Sequence, residues 1–318
     1  MRQHEITRAR PLLDSRGNIA EPGYAKRLLP VYRRADVKAP AYRIKEWDYY
    51  LVNNGRYALA LTVADNGYMG MDSISFLDFE NHWQQTLSPM CAFPMGRRKM
   101  PESSGTGDVA VSGKGYELAF RHTGEGRLLI FKMENFAGGR PIEGRILLTD
   151  EPPESMVICT PFRKRGHFYF NQKINCMRAS GWVSVRGRRF EFEPETAFAV
   201  LDWGRGVWTY HNTWYWGSAS GLAEGETFGW NIGYGFGDTS VATENMLFFA
   251  GKAHKLGRVT FNIPRRGGEL DYMSPWTFSS DDSRFEMDFR PVLDRAAGTE
   301  FKLPQSDQPP VLGRCPGH

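Results

Sequence analysis

Cysteine is scarce in this sequence, and the chain lacks the patterns in which cysteine usually has a chemical role. The four cysteines, at positions 91, 159, 176 and 315, form no C-x-x-C pair, and the seven histidines show no zinc-like spacing. The N-terminal segment is polar and has no apolar core of the kind that a secretion signal carries. We therefore predict free thiols, a cytoplasmic protein, and no metal or other cofactor.

Long apolar runs and concentrated charge are also missing. No segment approaches the ~20 apolar residues that a membrane-spanning helix needs, so no integral membrane segment is expected. The net charge is only +4, with Lys and Arg spread along the chain, whereas a phosphate-binding face needs clustered positive charge. A dense basic run, residues 163–165, is more typical of a solvated loop. Nucleic acid is therefore not an expected partner. The sequence does not indicate whether the protein is a monomer or an oligomer.

The 3.6-residue period of an amphipathic helix is almost absent, and no helix longer than about ten residues is predicted. Short alternating segments separated by turns take its place. Asn54-Gly55 and Asn66-Gly67 are strong hairpin signals, which predict a three-stranded meander over residues 47–79. A short helix is expected near His82–Gln85. The pattern predicts an all-β protein with few short helices, built as two antiparallel barrels or as one large closed sheet.

Proline- and glycine-rich segments divide the chain. Residues 1–45 are basic and rich in turn signals, which predicts an extended arm laid over the body of the protein. The segment Asp150–Pro153 separates an N-terminal β half, residues 46–152, from a C-terminal β half, residues 153–303. Residues 304–318 form a predicted flexible tail. We expect the C-terminal half to carry the functional site.

Aromatic residues make up 14% of the chain, and the stretch 198–219 is the densest in them. Polar side chains are interleaved with these rings, a composition that is typical of a small-molecule pocket. An ordinary β core is the alternative for any single ring. The candidate ligand-binding residues of this stretch are Trp203, Arg205, Trp208, Trp214 and Trp216.

Two carboxylic acids are candidates for acid catalysis. Asp202 follows an apolar run and adjoins Trp203, and a carboxyl group held against aromatic rings can stay protonated near neutral pH. The alternative is that Asp202 pairs with Arg205. Glu244 lies on the apolar side of the alternating segment 241–249, so its side chain is expected to point inward.

Other polar residues extend the candidate site. His211 is a candidate proton relay or orienting group, and a hydrogen-bonded structural role is its alternative. Asn231 could neighbour Glu244 across a hairpin. Tyr169, Asn171 and Lys173 alternate along one predicted strand and therefore share a face, which suits either a polar ligand end or a wet outer surface.

Several motifs together resemble a known family. They are Lys45–Tyr50, Phe170–Asn175, Asp202–Trp208, Trp214–Gly217 and Gly229–Gly235. With them the chain resembles, from about residue 17 to about residue 288, the bacterial family catalogued as domain of unknown function 2804. That family has no established reaction.

The chain also resembles, more distantly, the carotenoid 1,2-hydratase (hydroxyneurosporene synthase) group. This resemblance implies two lipocalin-like β-barrel or sandwich halves, and an acidic residue that protonates an isolated double bond. Asp202, Trp208 and His211 would hold similar places, although the acid that closely follows the Trp in that group is absent after Trp208.

Three functions follow from these patterns. The first is a cofactor-independent, acid-catalysed enzyme of hydratase, isomerase or cyclase type, acting on an apolar or amphipathic small molecule. The second is a non-catalytic, lipocalin-like binder of a small molecule or lipid. The third is a carbohydrate-active protein, since Trp faces stack on sugar rings and paired carboxylates can cleave glycosidic bonds.

Overall fold

The structure is a computed structural model that describes residues 3–209, 213–294 and 311–314. Short alternating segments bounded by turns form strands throughout, and the helical elements are two single turns of 3-10 helix, Arg34–Asp36 and Ala41–Arg43. The strands are β1 (Arg10–Pro11), β2 (Gly23–Ala25), β3 (Pro30–Val31), β4 (Lys45–Asn53), β5 (Tyr57–Asp65), β6 (Met69–Asp78), β7 (Trp83–Leu87), β8 (Met90–Ala92), β9 (Val109–Gly113), β10 (Tyr116–His122), β11 (Arg127–Ala137), β12 (Arg140–Thr149), β13 (Met156–Pro161), β14 (Phe168–Val185), β15 (Arg188–Phe192), β16 (Phe198–Val207), β17 (Tyr215–Ala223), β18 (Glu226–Tyr234), β19 (Met246–Phe249), β20 (Lys252–Lys255), β21 (Val259–Asn262), β22 (Arg265–Arg266), β23 (Glu269–Leu270), β24 (Trp276–Ser280), β25 (Glu286–Asp294) and β26 (Val311–Arg314).

Fourteen of these strands form one antiparallel main sheet. Its path is β7-β6-β5-β4-β16-β14-β12-β11-β10-β9, with β2, β8, β13 and β15 attached beside it. The predicted meander β4-β5-β6 is confirmed, and its turns fall at the two Asn-Gly steps. Strands from after residue 152, β14 and β16, lie between strands from before it, β4 and β12. The sheet therefore continues across residue 152, and the boundary proposed there remains a prediction.

The longest strand, β14, connects the parts of this sheet. Its first half pairs with β13 and β16, and its second half pairs with β12 and β15. The pairing with β16 shifts register between Ile174 and Met177, where Cys176 has a φ of +66°. Such a bulge bends a strand and increases its twist, which allows one strand to serve successive neighbours.

The main sheet folds over a single large apolar core. Tyr50 of β4 meets Phe120 of β10 with ring centroids 4.9 Å apart, and Phe76 of β6 meets Phe190 of β15 at 4.8 Å. Contacts between strands so far apart along the path give a sandwich. Within the described part of the chain no sheet closes into a barrel. The all-β prediction is confirmed. Of the barrel and sandwich forms that were expected, the structure agrees with the sandwich.

Two further sheets cover the main sheet in layers. The second sheet, β17-β18-β19-β20, packs on the outer face of β13 and β14 through an apolar cluster that includes Met156, Tyr169 and Phe248. The third sheet, β21-β24-β25-β26, packs on the far side of β18, where Trp230 lies 6.1 Å from Phe278. The candidate site lies between the main sheet and the second sheet.

The prediction of a short helix near residues 82–85 is wrong, because β7 starts at Trp83 and pairs with β6. The edge of β6 supplies backbone hydrogen-bond partners, and the ring of Trp83 packs 6.3 Å from Phe76. Tertiary pairing here overrides a weak local signal.

The arm and the tail are described in part. Residues of the arm lie on the body, since β2 pairs with β13 and the Gln3 amide donates to the carbonyl of Leu256 at 2.7 Å. Most of the predicted tail, residues 304–318, lies outside the described residues. The part that is described, β26, pairs with β25.

Cys91, Cys159 and Cys176 are free, and Cys315 lies outside the described residues. Among residues 3–209, 213–294 and 311–314, no helix has the length and apolar character to cross a membrane.

Candidate functional site

Three adjacent strands, β4, β16 and β14, form the first wall of the site. Their register places Tyr49, Asp202 and Lys173 opposite one another across the sheet. Because alternate residues of a strand share a face, Asn171 and Tyr169 follow Lys173 along the same surface. The face-sharing row predicted on β14 is therefore the row that carries the site's polar groups.

The Asp202 carboxylate is held by three side chains. Lys173 Nζ lies 2.6 Å from Oδ2, and the two side chains are only 3% and 13% exposed. The Asn171 amide donates to Oδ1 at 2.7 Å, and Trp47 Nε1 donates to the same oxygen at 3.2 Å. Charge-assisted bonds of this kind are shorter and stronger than bonds between neutral groups. Asp202 is thus half of a buried ion pair, and its partner is Lys173 rather than Arg205.

Glu244 lies opposite this ion pair, on the segment that leads into β19. Its side chain points inward as predicted and is buried, with the residue 7% exposed. Burial is the largest cause that raises the pKa of Glu244, and the charge of Asp202 raises it further. Lys173, Lys255 and a hydrogen bond from the Tyr169 hydroxyl act in the opposite direction. Among the described residues Glu244 forms no direct ion pair, so it differs from Asp202 in its electrostatic environment.

The second sheet supplies the opposite wall. Trp216 Nε1 donates to Asn231 Oδ1 at 2.7 Å, and the Asn231 amide donates to the backbone carbonyl of Glu244 at 2.8 Å. Lys173 Nζ lies 4.7 Å from the centre of the Trp216 ring, a cation–π distance. These contacts join the two sheets, and they bring Trp216, Asn231 and Glu244 to the Asp202–Lys173 pair.

An aromatic cluster borders the polar groups. Its centre is Phe236, whose ring lies 4.7 Å from Tyr169, 5.3 Å from Trp208 and 5.1 Å from Trp214. Trp47 joins the cluster through Trp208 at 5.4 Å. We call Trp47, Tyr169, Trp208, Trp214 and Phe236 the aromatic cluster. It gives the site an apolar side next to its acid and its ion pair.

One buried acceptor in the site has no partner within the described residues. Asn171 is fully buried and its amide nitrogen is used on Asp202, while its Oδ1 accepts no hydrogen bond. Leaving a buried acceptor unpaired costs about 1–3 kcal/mol. A hydrogen-bond donor from a ligand or a water molecule would remove that cost.

The structure does not bring every predicted residue to the site. Trp203 and Arg205 alternate with Asp202 and Gly204 on β16, so they point into the core of the main sheet. There the guanidinium of Arg205 donates to Asp48 at 3.1 Å, and Trp203 is fully buried beside Phe170. His211 lies outside the described residues.

Trp47, Tyr49 and Phe236 are site residues that sequence reasoning missed. The signals available for them were the alternation within Lys45–Tyr50 and an aromatic ring placed between two glycines at 235 and 237. In the part of the chain that the structure describes, no group of three or more His, Cys, Asp or Glu residues is placed to hold a metal ion.

Gly204 is required for the position of Trp47. A Cβ at this residue would overlap the indole ring, which is fixed by Tyr169, Trp208 and its bond to Asp202. We expect Gly204→Ala to destabilise the protein by about 1–3 kcal/mol, because overpacking forces the ring to move. Urea unfolding measures the change.

Gly221 provides the matched control for this substitution. It is also a strand glycine, but a Cβ there meets no atom within 4 Å. Gly221→Ala is expected to leave the unfolding midpoint nearly unchanged. Equal effects of the two substitutions would show that space for Trp47 is not the reason for the glycine at 204.

The buried acid predicts a pH-dependent contribution to stability. Glu244 has a pKa in the folded state above its ordinary value of 4.5, since burial disfavours the charged form. Its contribution is therefore fully present below pH 4.5 and is lost as the pH rises through the folded-state pKa. Relative to Glu244→Gln, the wild-type protein is expected to lose stability as the pH increases from 4.5 to 8. Urea unfolding of both proteins at several pH values tests this, and a constant difference would contradict it.

The fold and the site define an all-β protein in which two facing sheets hold a buried acid, an ion pair and a cluster of aromatic rings between them. The chain belongs to the family described as Domain of unknown function (DUF2804), whose model matches residues 3–318. The family resemblance inferred from the motifs is therefore confirmed. A search of curated proteins finds no match.

Solved structures resemble this chain at low sequence identity. One, described as a "putative AttH" from Nitrosomonas europaea, is 12% identical with a TM-score of 0.53, over 83% of this chain and 85% of that one. Kievitone hydratase from Nectria haematococca is 10% identical with a TM-score of 0.44, over 89% and 86%. CghA is 11% identical with a TM-score of 0.41, over 97% and 90%. The first similarity shows a shared fold.

Proposed function

We propose that this protein is a cofactor-independent enzyme that transfers a proton from Glu244 to an apolar or amphipathic small molecule. The reaction would be of hydratase, isomerase or cyclase type. The observation that carries the proposal is the environment of Glu244, a buried acid whose pKa is raised by burial and which accepts a hydrogen bond from Tyr169, a member of the aromatic cluster. A carboxyl group that remains protonated near neutral pH is what general acid catalysis requires.

The two candidate acids have different roles in this proposal. Asp202 is engaged in the buried ion pair with Lys173, so using it as the proton donor would break that pair. Its negative charge instead helps to keep the proton on Glu244.

The proposed step balances without a co-reactant other than water. The Glu244 carboxyl gives its proton to one carbon of a double bond, and the π electrons form the new C–H bond. The adjacent carbon becomes a cation, which the faces of the aromatic cluster would stabilise. In a hydratase, water adds to that cation and its spare proton returns to the Glu244 carboxylate. In an isomerase, the cation loses a different proton to the same carboxylate.

The surroundings of Glu244 indicate the kind of substrate. The aromatic cluster suits an apolar body, while the unpartnered Asn171 Oδ1 suits a hydroxyl or amine donor at one end. Trp216 and Asn231 complete the wall opposite Lys173. An amphipathic molecule with an apolar body and a donor group fits both features.

A non-catalytic binder is the second candidate, and one observation favours it. The polar groups around Asp202 are bonded to one another, which is typical of a structural network. The carbohydrate-active alternative is weaker, because Asp202 is paired with Lys173 and, among the described residues of this site, only Glu244 is an acid without an ion pair.

Deuterium incorporation distinguishes the enzyme from the binder. The protein is incubated with a metabolite extract in D2O, and the small molecules are analysed by mass spectrometry. Protonation of a double bond places solvent deuterium on carbon, so a metabolite gaining a non-exchangeable deuterium is expected with the wild-type protein. The same metabolite should stay unlabelled with Glu244→Gln. A molecule that is retained by both proteins and never labelled would establish the binder instead.

We place the protein in a reducing compartment, in agreement with its three free cysteines among the described residues. The proposed partner is a small molecule and not a nucleic acid. The cytoplasm remains the predicted location.

A further inference from the structure

Large apolar side chains are exposed together at one end of the main sheet. Tyr42 is 46% exposed, Met90 46%, Phe93 56% and Met95 40%. They are half of the eight strongly exposed large apolar residues among those the structure describes. We call these four residues the Phe93 surface. A contiguous exposed apolar group on an otherwise polar surface is typical of an interaction site.

The Phe93 surface is held in place by the backbone. The amide of Phe93 donates to the carbonyl of Tyr68 at 2.9 Å, and that of Met95 donates to the carbonyl of Gly67 at 3.1 Å. Both residues have a φ of +48°, a left-handed conformation that is unfavourable for bulky side chains. The exposure of Phe93 and Met95 is therefore built into an anchored loop.

The arm contributes the rest of this surface. The carbonyl of Tyr42 lies against Gly67, and the guanidinium of Arg34 lies against Gly96, where a Cβ would be 2.6 Å from its Nε. Segments 33–45 and 90–102 are thus neighbours in space although they are distant in sequence.

Positive charge surrounds the exposed apolar residues. Segments 33–45 and 90–102 hold eight basic and two acidic residues. Arg34 and Arg98 are paired with Glu46 and Asp72, which lie outside these segments, and Lys45 is buried. Arg33, Lys38, Arg97 and Lys99 are exposed and form no ion pair within the described residues, so an excess of positive charge remains on the two segments.

We propose that the Phe93 surface docks on an anionic lipid bilayer. Apolar side chains that project among free Lys and Arg match an interface in which acyl chains lie below negative headgroups. Nucleic acid would be complementary to the charge but would not require exposed Phe and Met side chains.

The position of the surface fits this occupant. Lys45 Nζ lies 4.5 Å from the ring centre of Tyr68 and 5.4 Å from that of Trp208, which belongs to the aromatic cluster. A membrane-dissolved ligand would therefore meet the protein beside the candidate site. The docking proposal itself does not depend on the proposed reaction.

Vesicle co-sedimentation of the full-length protein tests the proposal. Vesicles of phosphatidylcholine with about 30% phosphatidylglycerol are compared with vesicles of phosphatidylcholine alone. We expect binding to the anionic vesicles that weakens as salt is added. Phe93→Ser with Met95→Ser, and separately Arg97→Glu with Lys99→Glu, should each weaken binding by about tenfold or more.

Leu222 and Met273 supply the matched control, because they are also apolar and exposed, at 47% and 43%. Leu222 lies on β17, and Met273 lies in the turn before β24. Leu222→Ser with Met273→Ser should bind as the wild type does, and near-ultraviolet circular dichroism should show that all variants are folded. Absence of wild-type binding to anionic vesicles would overturn the proposal. Two other results would also overturn it. Loss of binding in the Arg97→Glu and Lys99→Glu variant alone would indicate a general polyanion site. A wild-type dimer that dissociates in the Phe93→Ser and Met95→Ser variant would indicate an interface between two copies of the chain.

Discussion

Glu244→Gln is expected to lower turnover by about two to four orders of magnitude while ligand affinity changes only a few fold. Glutamine keeps the shape of the side chain and can still accept the hydrogen bond from Tyr169. It has no proton to give to a carbon atom. If Glu244 is the acid, the substitution therefore removes the chemical step and leaves binding largely intact.

Single-turnover kinetics and equilibrium binding, with the ligand identified by deuterium labelling, measure the two quantities separately. Glu226→Gln is the matched control, because it makes the same change at an exposed position on β18. Turnover that survives Glu244→Gln would remove the acid from the mechanism. Equal losses of turnover and affinity would instead assign Glu244 to binding.

Lys173→Met is expected to destabilise the protein by about 3–5 kcal/mol, because it leaves the Asp202 carboxylate buried without its partner. The ammonium group also lies over the Trp216 ring, so the contact between the two sheets weakens at the same point. Urea unfolding at neutral pH measures the loss.

A double-mutant cycle shows whether this loss comes from the pair. Lys173→Met combined with Asp202→Asn removes both charges but keeps an Oδ1 acceptor for Asn171 and Trp47, and it is expected to recover most of the stability because no uncompensated charge remains. The exposed pair Arg56–Glu80 is the comparison, and breaking it should change stability very little. Additive effects of the two substitutions at 173 and 202 would show that the ion pair does not couple them.

Local patterns in the sequence determined the secondary structure and part of the site. The Asn-Gly turns predict the β4-β5-β6 meander, because a two-residue turn specifies which strands pair. Alternation correctly groups Tyr169, Asn171 and Lys173 on one face. Glu244 is buried as predicted, but it lies before β19 among consecutive buried residues and not on an alternating strand. These features depend on residues close together in the chain, so periodicity alone reveals them.

Tertiary structure decided which of these residues meet. From the sequence Asp202 could be an acid held against aromatic rings or a partner of Arg205, whereas the position of β16 between β4 and β14 places it opposite Lys173. The same alternation that brings Asp202 to the site sends Trp203 and Arg205 into the core, but only if residues 198–207 form a continuous strand. The fold also brings together two basic segments that are distant in the sequence, 33–45 and 90–102. Pairing of distant strands depends on the burial achieved by the whole fold, which no short window of sequence contains.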